Sequence, residues 1–101
     1  MPFVDQAERD DHFVKHGADF GVGTPEDYEA LADAFLAGPR GPSTMEYTRS
    51  RGDRIRYDTQ TDEFGVVSVN GVVRTYFRPV PGVTHRYSTN LEYFNRTCRS
   101  F

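Results

Sequence analysis

Features that mark several common protein classes are scarce or missing in this 101-residue sequence. Cys98 is the single cysteine, so an internal disulfide is impossible and a zinc site built on paired cysteines is excluded. No apolar run approaches the roughly 18 residues that a membrane span needs, and no basic segment followed by an apolar stretch opens the chain. We therefore expect a soluble chain that carries no membrane span and no address of its own.

Lysine is also scarce, since Lys15 is the only one, and the positive charge is unevenly distributed. Residues 1–48 contain ten acids and three bases, a net charge of −7, whereas residues 49–101 contain five acids and nine arginines, a net charge of +4. Because the planar guanidinium matches phosphate geometry, the second half is a candidate surface for nucleic acid or another anion. The alternative is that these arginines are merely solvated.

The length suits one small core, so we predict a single domain over residues 1–101, with a helical part at 1–38 and a sheet part at 46–94. The first helix is predicted over residues 5–15, with Gly17 as a left-handed stop. The second begins after the cap Thr24 and ends before Gly38. Its apolar residues follow helical spacing and are Tyr28, Leu31, Ala32, Phe35 and Leu36.

The period then changes to that of strands, which we predict at residues 46–49, 54–58, 64–69 and 72–77. Asn70-Gly71 between the last two is typical of a two-residue hairpin turn. A further strand or extended segment is predicted near residues 85–88, and the aromatic tail at 91–94 should dock on the core. The pattern predicts an α+β domain, with two N-terminal helices packed on one face of an antiparallel sheet of about four strands.

The two-residue turn also predicts which side chains share a face of the sheet. It pairs Val66 with Thr75 and Val67 with Arg74, which leaves Thr75 on the more apolar face. A hydroxyl among apolar residues needs either a local hydrogen bond or a function. The predicted core face is Phe64, Val66, Val73, Thr75 and Phe77, and the opposite face is Val67, Val69, Arg74, Tyr76 and Arg78.

His12 and His16 lie four residues apart on the first predicted helix, which is the spacing of two metal ligands. Phe13 stands where a metalloprotease motif has glutamate, and no third ligand is evident, so we predict no metal site and expect His12 to be an exposed helix residue. His16 lies at the helix end beside Lys15. An imidazole there can titrate near neutral pH and serve as a general acid or base.

A second imidazole, His85, precedes Arg86 and Tyr87 in the basic half. Metal-free cleavage of RNA needs a base for the 2′-hydroxyl, an acid for the leaving 5′-oxygen, and cations or donors for the charged phosphorane. His16, His85, Thr75 and the arginines include all of these groups. The alternative for His85 is an ordinary loop residue after Pro81-Gly82.

Short motifs spread over residues 11–94 resemble those of the C-terminal ribonuclease toxin domains of bacterial contact-dependent-inhibition and polymorphic-toxin proteins. These domains belong to the barnase–EndoU–colicin–RelE (BECR) group of folds. The motifs are the Asp11–Gly17 run, the Phe20-Gly21 loop, the helix at 25–35, the segments 55–58 and 63–65, and the segment 71–79 that ends in Arg-Thr-Tyr-Phe-Arg-Pro.

The resemblance implies N-terminal helices followed by a four-stranded antiparallel sheet, and a metal-independent, cofactor-free endoribonuclease that is often directed at tRNA. Attack by the 2′-hydroxyl would leave a 2′,3′-cyclic phosphate. In colicin D-like members the acid/base is a helix histidine flanked by lysine, which matches His16 and Lys15. A strand hydroxyl that contacts the phosphate matches Thr75.

For the remaining contacts we expect Arg56 to bind the phosphate, and Arg74, Arg78, His85 and Tyr87 to contact RNA. The resemblance further implies delivery from a producing cell as part of a larger toxin, action in the target-cell cytoplasm, and neutralisation by a cognate immunity protein. We expect a monomer when free. The competing interpretation is a non-catalytic binding module, an adaptor or an immunity protein, that uses an arginine-rich face of the sheet.

Overall fold

The computed structural model describes residues 3–99, which form one four-stranded sheet and three α-helices. The elements are α1 Gln6–His16, α2 Pro25–Ala37, β1 Thr44–Thr48, β2 Arg54–Asp58, β3 Phe64–Val67, β4 Val73–Phe77 and α3 Asn90–Cys98. The strands are antiparallel neighbours in the order β1-β2-β3-β4. This confirms the predicted α+β class. No helix within residues 3–99 has the length and apolar character to cross a membrane.

A side-chain cap fixes the start of each N-terminal helix, and the one at Thr24 is the predicted cap. The Asp5 carboxylate accepts the Glu8 amide at 2.8 Å, and the Thr24 hydroxyl accepts the Asp27 amide at 3.1 Å. Pro25 opens α2, where its missing N–H costs nothing because the first amides of a helix have no partner within it. Caps of this kind contribute about 1 kcal/mol each, so these two ends are fixed locally.

The end of α1 differs from the prediction of a left-handed stop at Gly17. Gly17 has a right-handed φ of −58°, and the chain continues into a short 3-10 helix, Gly17–Phe20. The left-handed residue is Gly21, with φ 67°. Gly17 is needed for packing, because a Cβ there would lie 2.6 Å from Cδ1 of Phe13.

The C-terminal segment forms α3 within what is predicted as the sheet part. The Thr89 hydroxyl caps this helix by accepting the Glu92 amide at 3.1 Å, and Asn90, Phe94 and Cys98 form its buried stripe. Thr-x-x-Glu is the sequence pattern of such a cap, so a local signal for α3 exists. Residues 85–88, predicted as a strand or an extended segment, form no strand, and an isolated bridge joins Pro81 to His85.

The two N-terminal helices pack on one face of the sheet, as predicted, and α3, which the sequence pattern does not predict, covers the other face. The α2-side core consists of Phe3, Tyr28, Ala32, Leu36, Val67, Val73 and Tyr76, with Phe13, Phe20, Val22 and Phe35 packed against it. The α3-side core consists of Ile55, Tyr57, Phe64, Val66, Phe77, Phe94 and Cys98, with Tyr93 packed against it. Alternate residues of the central strands therefore enter different cores.

The observed register confirms the pairs that were predicted far from the turn of the β3–β4 hairpin, but not those near it. Phe64 pairs with Phe77 and Val66 pairs with Thr75, but Val67 pairs with Val73, so Arg74 forms a bulge. The bulge turns Val73 into the α2-side core, away from the predicted face. Tyr76 is fully buried in that same core, although we expected it on the polar side.

The loop of the hairpin explains the bulge. The amide of Ser68 donates to the carbonyl of Val72 at 2.8 Å, so three residues connect the strands and the predicted two-residue turn is wrong. The Ser68 hydroxyl accepts the amide of Val72 at 3.1 Å, and the Ser68 carbonyl accepts the amide of Gly71 at 2.9 Å. These hydrogen bonds stabilise a loop that is one residue longer than the two-residue turn predicted from Asn-Gly.

Candidate active site

His16 is held at the open side of β4, the edge strand next to α1. Its ring stacks on that of Phe77, with centroids 5.1 Å apart and planes inclined by 26°. The side chain is half-buried, and among the described residues neither ring nitrogen has a hydrogen-bond partner. The imidazole is therefore fixed by its ring face while its nitrogens stay open to a ligand.

The surroundings of His16 favour its neutral form. Burial lowers the pKa of His16 below its ordinary value of 6.5, and the positive charges of His12 and Lys15 lower it further. The carboxylates of Asp19 and Asp11 act in the opposite direction and do not outweigh these causes. An imidazole of this kind is ready to accept a proton at neutral pH.

Thr75 lies on the same face of β4 as Phe77, two residues away and thus roughly 7 Å along the strand. It is half-buried, and its hydroxyl has no hydrogen-bond partner within residues 3–99. The structure therefore places Thr75 in the middle of the strand whose last residue, Phe77, stacks on His16. It does not supply the local hydrogen bond that a structural role for the hydroxyl would need.

Lys15 is next to His16 in the chain but extends along the outer side of α1. Its Nζ lies 3.0 Å from Oδ2 of Asp11, one turn earlier, and both side chains are exposed. An exposed pair of this type contributes less than about 1 kcal/mol, so Lys15 is free to exchange Asp11 for another anion.

Arg56 is not part of this strand end. It is buried on the α2 side of the sheet, where its Nε donates to Glu46 at 2.6 Å and Nη1 donates to the carbonyls of Phe35 and Gly38 at 2.9 and 2.7 Å. These carbonyls belong to the end of α2, where a cation is favourable. Arg56 therefore joins α2 to the sheet, and its charge is used inside the protein.

Two further arginines of the basic half also bind main-chain carbonyls. Arg54 donates to the carbonyl of Leu36 at 2.5 Å. Arg78, one of the expected RNA contacts, donates to the carbonyl of Asp19 and lies 4.9 Å from the centroid of the Phe20 ring. These bonds hold the acidic helices on the sheet. Part of the positive charge of the second half of the sequence therefore acts inside the protein, where it attracts the helices of the first half.

A series of ring contacts leads from His16 to the other expected RNA contacts. We call the five rings His16, Phe77, Tyr93, His85 and Tyr87 the ring track. Beyond the His16–Phe77 stack, the successive centroid distances are 6.5, 4.4 and 5.7 Å. Tyr93 and His85 are nearly parallel, with planes inclined by 3°. The track joins two histidines that are 69 positions apart in sequence.

Both nitrogens of His85 are engaged within the protein. Nδ1 accepts the amide of Tyr87 at 3.2 Å, and Nε2 lies 2.9 Å from Oδ1 of Asn90, with which it shares a hydrogen bond. The buried Asn90 in turn donates to the carbonyl of Pro79 at 2.9 Å. The imidazole therefore holds the loop after β4 in place. Because both of its nitrogens are used within the protein, His85 can act toward a ligand only as one ring of the ring track.

Comparison with known proteins gives no match, either among protein-family models or among curated proteins. The ribonuclease resemblance therefore rests on the short sequence motifs alone.

His12 is not the exposed residue that we predicted. Its ring lies 5.4 Å from that of Phe3, and its Nε2 lies 3.4 Å from a carboxylate oxygen of Glu8. The rings of His12 and His16 are 6.0 Å apart. Over residues 3–99, no three His, Cys, Asp or Glu side chains are grouped as ligands of a metal ion.

Arg74 lies away from the ring track, at the bulge of the hairpin. Together with Arg51, it lines a cavity of about 650 Å³ that also contains the acids Glu8 and Asp53 and the exposed Val69. His16 and Thr75 do not line this cavity. Its mixed charge suits a polyanion poorly, so we place the candidate site at His16 and not in this cavity.

Four residues of this region are missing from the predicted site: Phe77, Tyr93, Arg86 and Arg96. Strand alternation gives a signal for Phe77, because it shares the face of Thr75. The cap at Thr89 gives one for α3 and hence for Tyr93 and Arg96. Arg86 carries no signal beyond its charge, because loop residues follow no period.

Proposed function

We propose that this protein is a metal-independent endoribonuclease in which His16 is the general acid/base and Thr75 contacts the scissile phosphate. The observation that supports this best is the stacking of His16 on Phe77, which positions an imidazole with open nitrogens at the end of the strand that carries Thr75. A general base and a hydroxyl donor are two of the groups that metal-free RNA cleavage requires.

In the proposed reaction, neutral His16 takes the proton of the 2′-hydroxyl, and the 2′-oxygen forms a bond to phosphorus. The bond from phosphorus to the 5′-oxygen breaks, and that oxygen takes up a proton from protonated His16 or from water. The products are a 2′,3′-cyclic phosphate and a free 5′-hydroxyl. Thr75 donates to the phosphorane, and Lys15 approaches it after leaving Asp11.

The substrate that we propose is RNA, tRNA in particular, as the resemblance to colicin D-like toxin domains implies. The same resemblance supports delivery as part of a larger toxin, action in the target-cell cytoplasm and inhibition by a cognate immunity protein. The competing binding-module function needs an arginine-rich sheet face. Arg54, Arg56 and Arg78 are used by main-chain carbonyls, which leaves that function less cationic surface.

The test is incubation of the protein with total tRNA, followed by mapping of the fragment ends. We expect cyclic phosphate ends, activity in excess EDTA, and a loss of about 10²–10⁴-fold in His16→Ala, the range typical of an acid/base residue. Thr75→Val should lower kcat without lowering the free energy of unfolding, because the hydroxyl has no internal partner. Val14→Ala is the matched control on the same helix and should retain activity, because Val14 is 81% exposed.

Three results would contradict the proposal. The first is intact tRNA and undisturbed growth when the unmodified protein is expressed without an inhibitor. The second is loss of activity in chelator, which would revive a metal role for the two helix histidines. The third is full activity in His16→Ala.

A further inference from the structure

Tyr87, at the far end of the ring track from His16, lies between two guanidinium groups. The Cζ atoms of Arg86 and Arg96 are 5.6 and 5.5 Å from the centroid of its ring. Arg86 comes from the loop after β4 and Arg96 from the last turn of α3, so the fold brings together two cations that are ten positions apart.

These two arginines differ from those that hold the helices. Both are exposed, and neither has a hydrogen bond to a main-chain carbonyl among the described residues. Within residues 3–99, the carboxylate paired with Arg96 is that of Glu92, at 3.6 Å in an exposed pair. Because such a pair is weak, both charges remain available to an external anion.

The loop that carries Arg86 and Tyr87 is held in place before any ligand binds. The amide of Tyr87 donates to His85, His85 binds Asn90, and the buried Asn90 binds the carbonyl of Pro79. The side-chain amide of Asn90 also donates to Asp62 at 3.3 Å. A fixed loop reduces the entropy that is lost when a ligand binds.

We propose that Arg86 and Arg96 form a phosphate subsite that binds single-stranded RNA a few nucleotides away from the bond at His16. This inference rests on the proposed function for the position of the cleaved bond. Guanidinium groups bind phosphate through paired N–H donors. The ring track passes through the buried Phe77 and fixes the spacing between the subsite and His16, so one strand can contact both ends.

Binding is measured with the His16→Ala protein, which leaves the probe uncut, and a fluorescent single-stranded RNA oligonucleotide. Anisotropy should show affinity losses of about tenfold for Arg86→Ala and for Arg96→Ala, the size expected for one charged hydrogen-bonded contact. The slope of log affinity against log salt should fall by about 0.7 for each arginine removed. Arg40→Ala removes the same charge from an exposed site elsewhere and should leave the affinity unchanged.

Two outcomes overturn the subsite: equal affinities of Arg86→Ala and Arg40→Ala, or displacement of the RNA by polyglutamate of the same charge at equal concentration, which would indicate an acidic protein partner. In the active protein, Arg86→Ala should raise KM for tRNA and leave kcat within about twofold. If the unmodified protein cleaves no tRNA, the proposed function fails, and the anisotropy measurement still decides the subsite.

Discussion

At the residue scale, the chemistry of His16 is set by a ring and two cations. Phe77 removes one face of the imidazole from water, and this burial is the largest cause of the lowered pKa of His16. His12 and Lys15 add positive charge nearby and act in the same direction. The result is a histidine that resists protonation just below neutral pH.

We therefore expect the imidazole of His16 to titrate below 6.5 when it is followed by NMR, and Lys15→Met to move this pKa upward. The direction in which stability changes with pH follows from which state, folded or unfolded, binds the proton more tightly. In the unfolded chain His16 binds a proton near pH 6.5, whereas in the folded protein it does so only at lower pH, so stability falls as pH decreases from 6.5.

Urea unfolding at a series of pH values checks this prediction. His16→Gln should flatten the dependence of the unfolding free energy on pH below 6.5, because a neutral side chain then replaces the histidine in both states. An unchanged pH dependence in that variant would assign the effect to other groups.

Among the elements, α3 is the one that the sequence pattern does not predict, and it contributes both to a core and to the candidate site. It closes the α3-side core through Phe94 and Cys98, which are 3% and 7% exposed. It also supplies Tyr93 to the ring track and Asn90 to the anchor of the loop between β4 and α3. One short helix therefore connects the stability of the sheet to the geometry of the candidate site.

We expect Phe94→Ala to lower the free energy of unfolding by about 3–5 kcal/mol, the cost of truncating a buried phenylalanine. Leu91→Ala on the same helix is the matched control, because Leu91 is 42% exposed, and its cost should stay below about 1 kcal/mol. Urea denaturation measures both. Similar losses for the two variants would mean that α3 is not packed as described.

The β3–β4 hairpin shows how far local signals determine an element. Asn70-Gly71 correctly places the turn, and the outer pairs Phe64–Phe77 and Val66–Thr75 follow from it. The loop length does not follow, because the hydroxyl of Ser68 binds the amide of Val72 and supports a third loop residue. One extra residue is enough to reverse the side to which Val73 points.

On the scale of the whole molecule, two cores share one sheet. Tyr28 and Tyr76 lie in the α2-side core, and Tyr57 and Tyr93 belong to the α3 side. Every residue of the central strands β2 and β3 from Ile55 to Asp58 and from Phe64 to Val67 is buried. Loss of either core would expose strands that the other core needs.

We therefore predict one cooperative unfolding transition. Far-UV circular dichroism and tyrosine fluorescence should give the same urea midpoint; the chain has six tyrosines and no tryptophan. Phe94→Ala should shift both midpoints equally. A helix signal that outlasts the change in tyrosine emission would show instead that the two cores unfold separately.

The sequence by itself determined features that depend on near neighbours: the cap at Thr24, the buried positions Tyr28, Ala32 and Leu36 of α2, the bounds of β2 and the α+β class. These follow from hydrogen bonds and periodicities within a few residues. Leu31, predicted in the same stripe of α2, is exposed. The candidate catalytic pair His16 and Thr75 was also accessible, because a helix end and a strand face are local properties.

Only the tertiary structure decided how the charges and rings are used. It assigned Arg56 to the end of α2, 18 to 21 positions earlier in the chain, and stacked His16 on Phe77, 61 positions away. An arginine's charge is the same whether a carbonyl or a phosphate binds it, so composition cannot distinguish the two. Distances between residues far apart in sequence exist only after the helices have packed on the sheet.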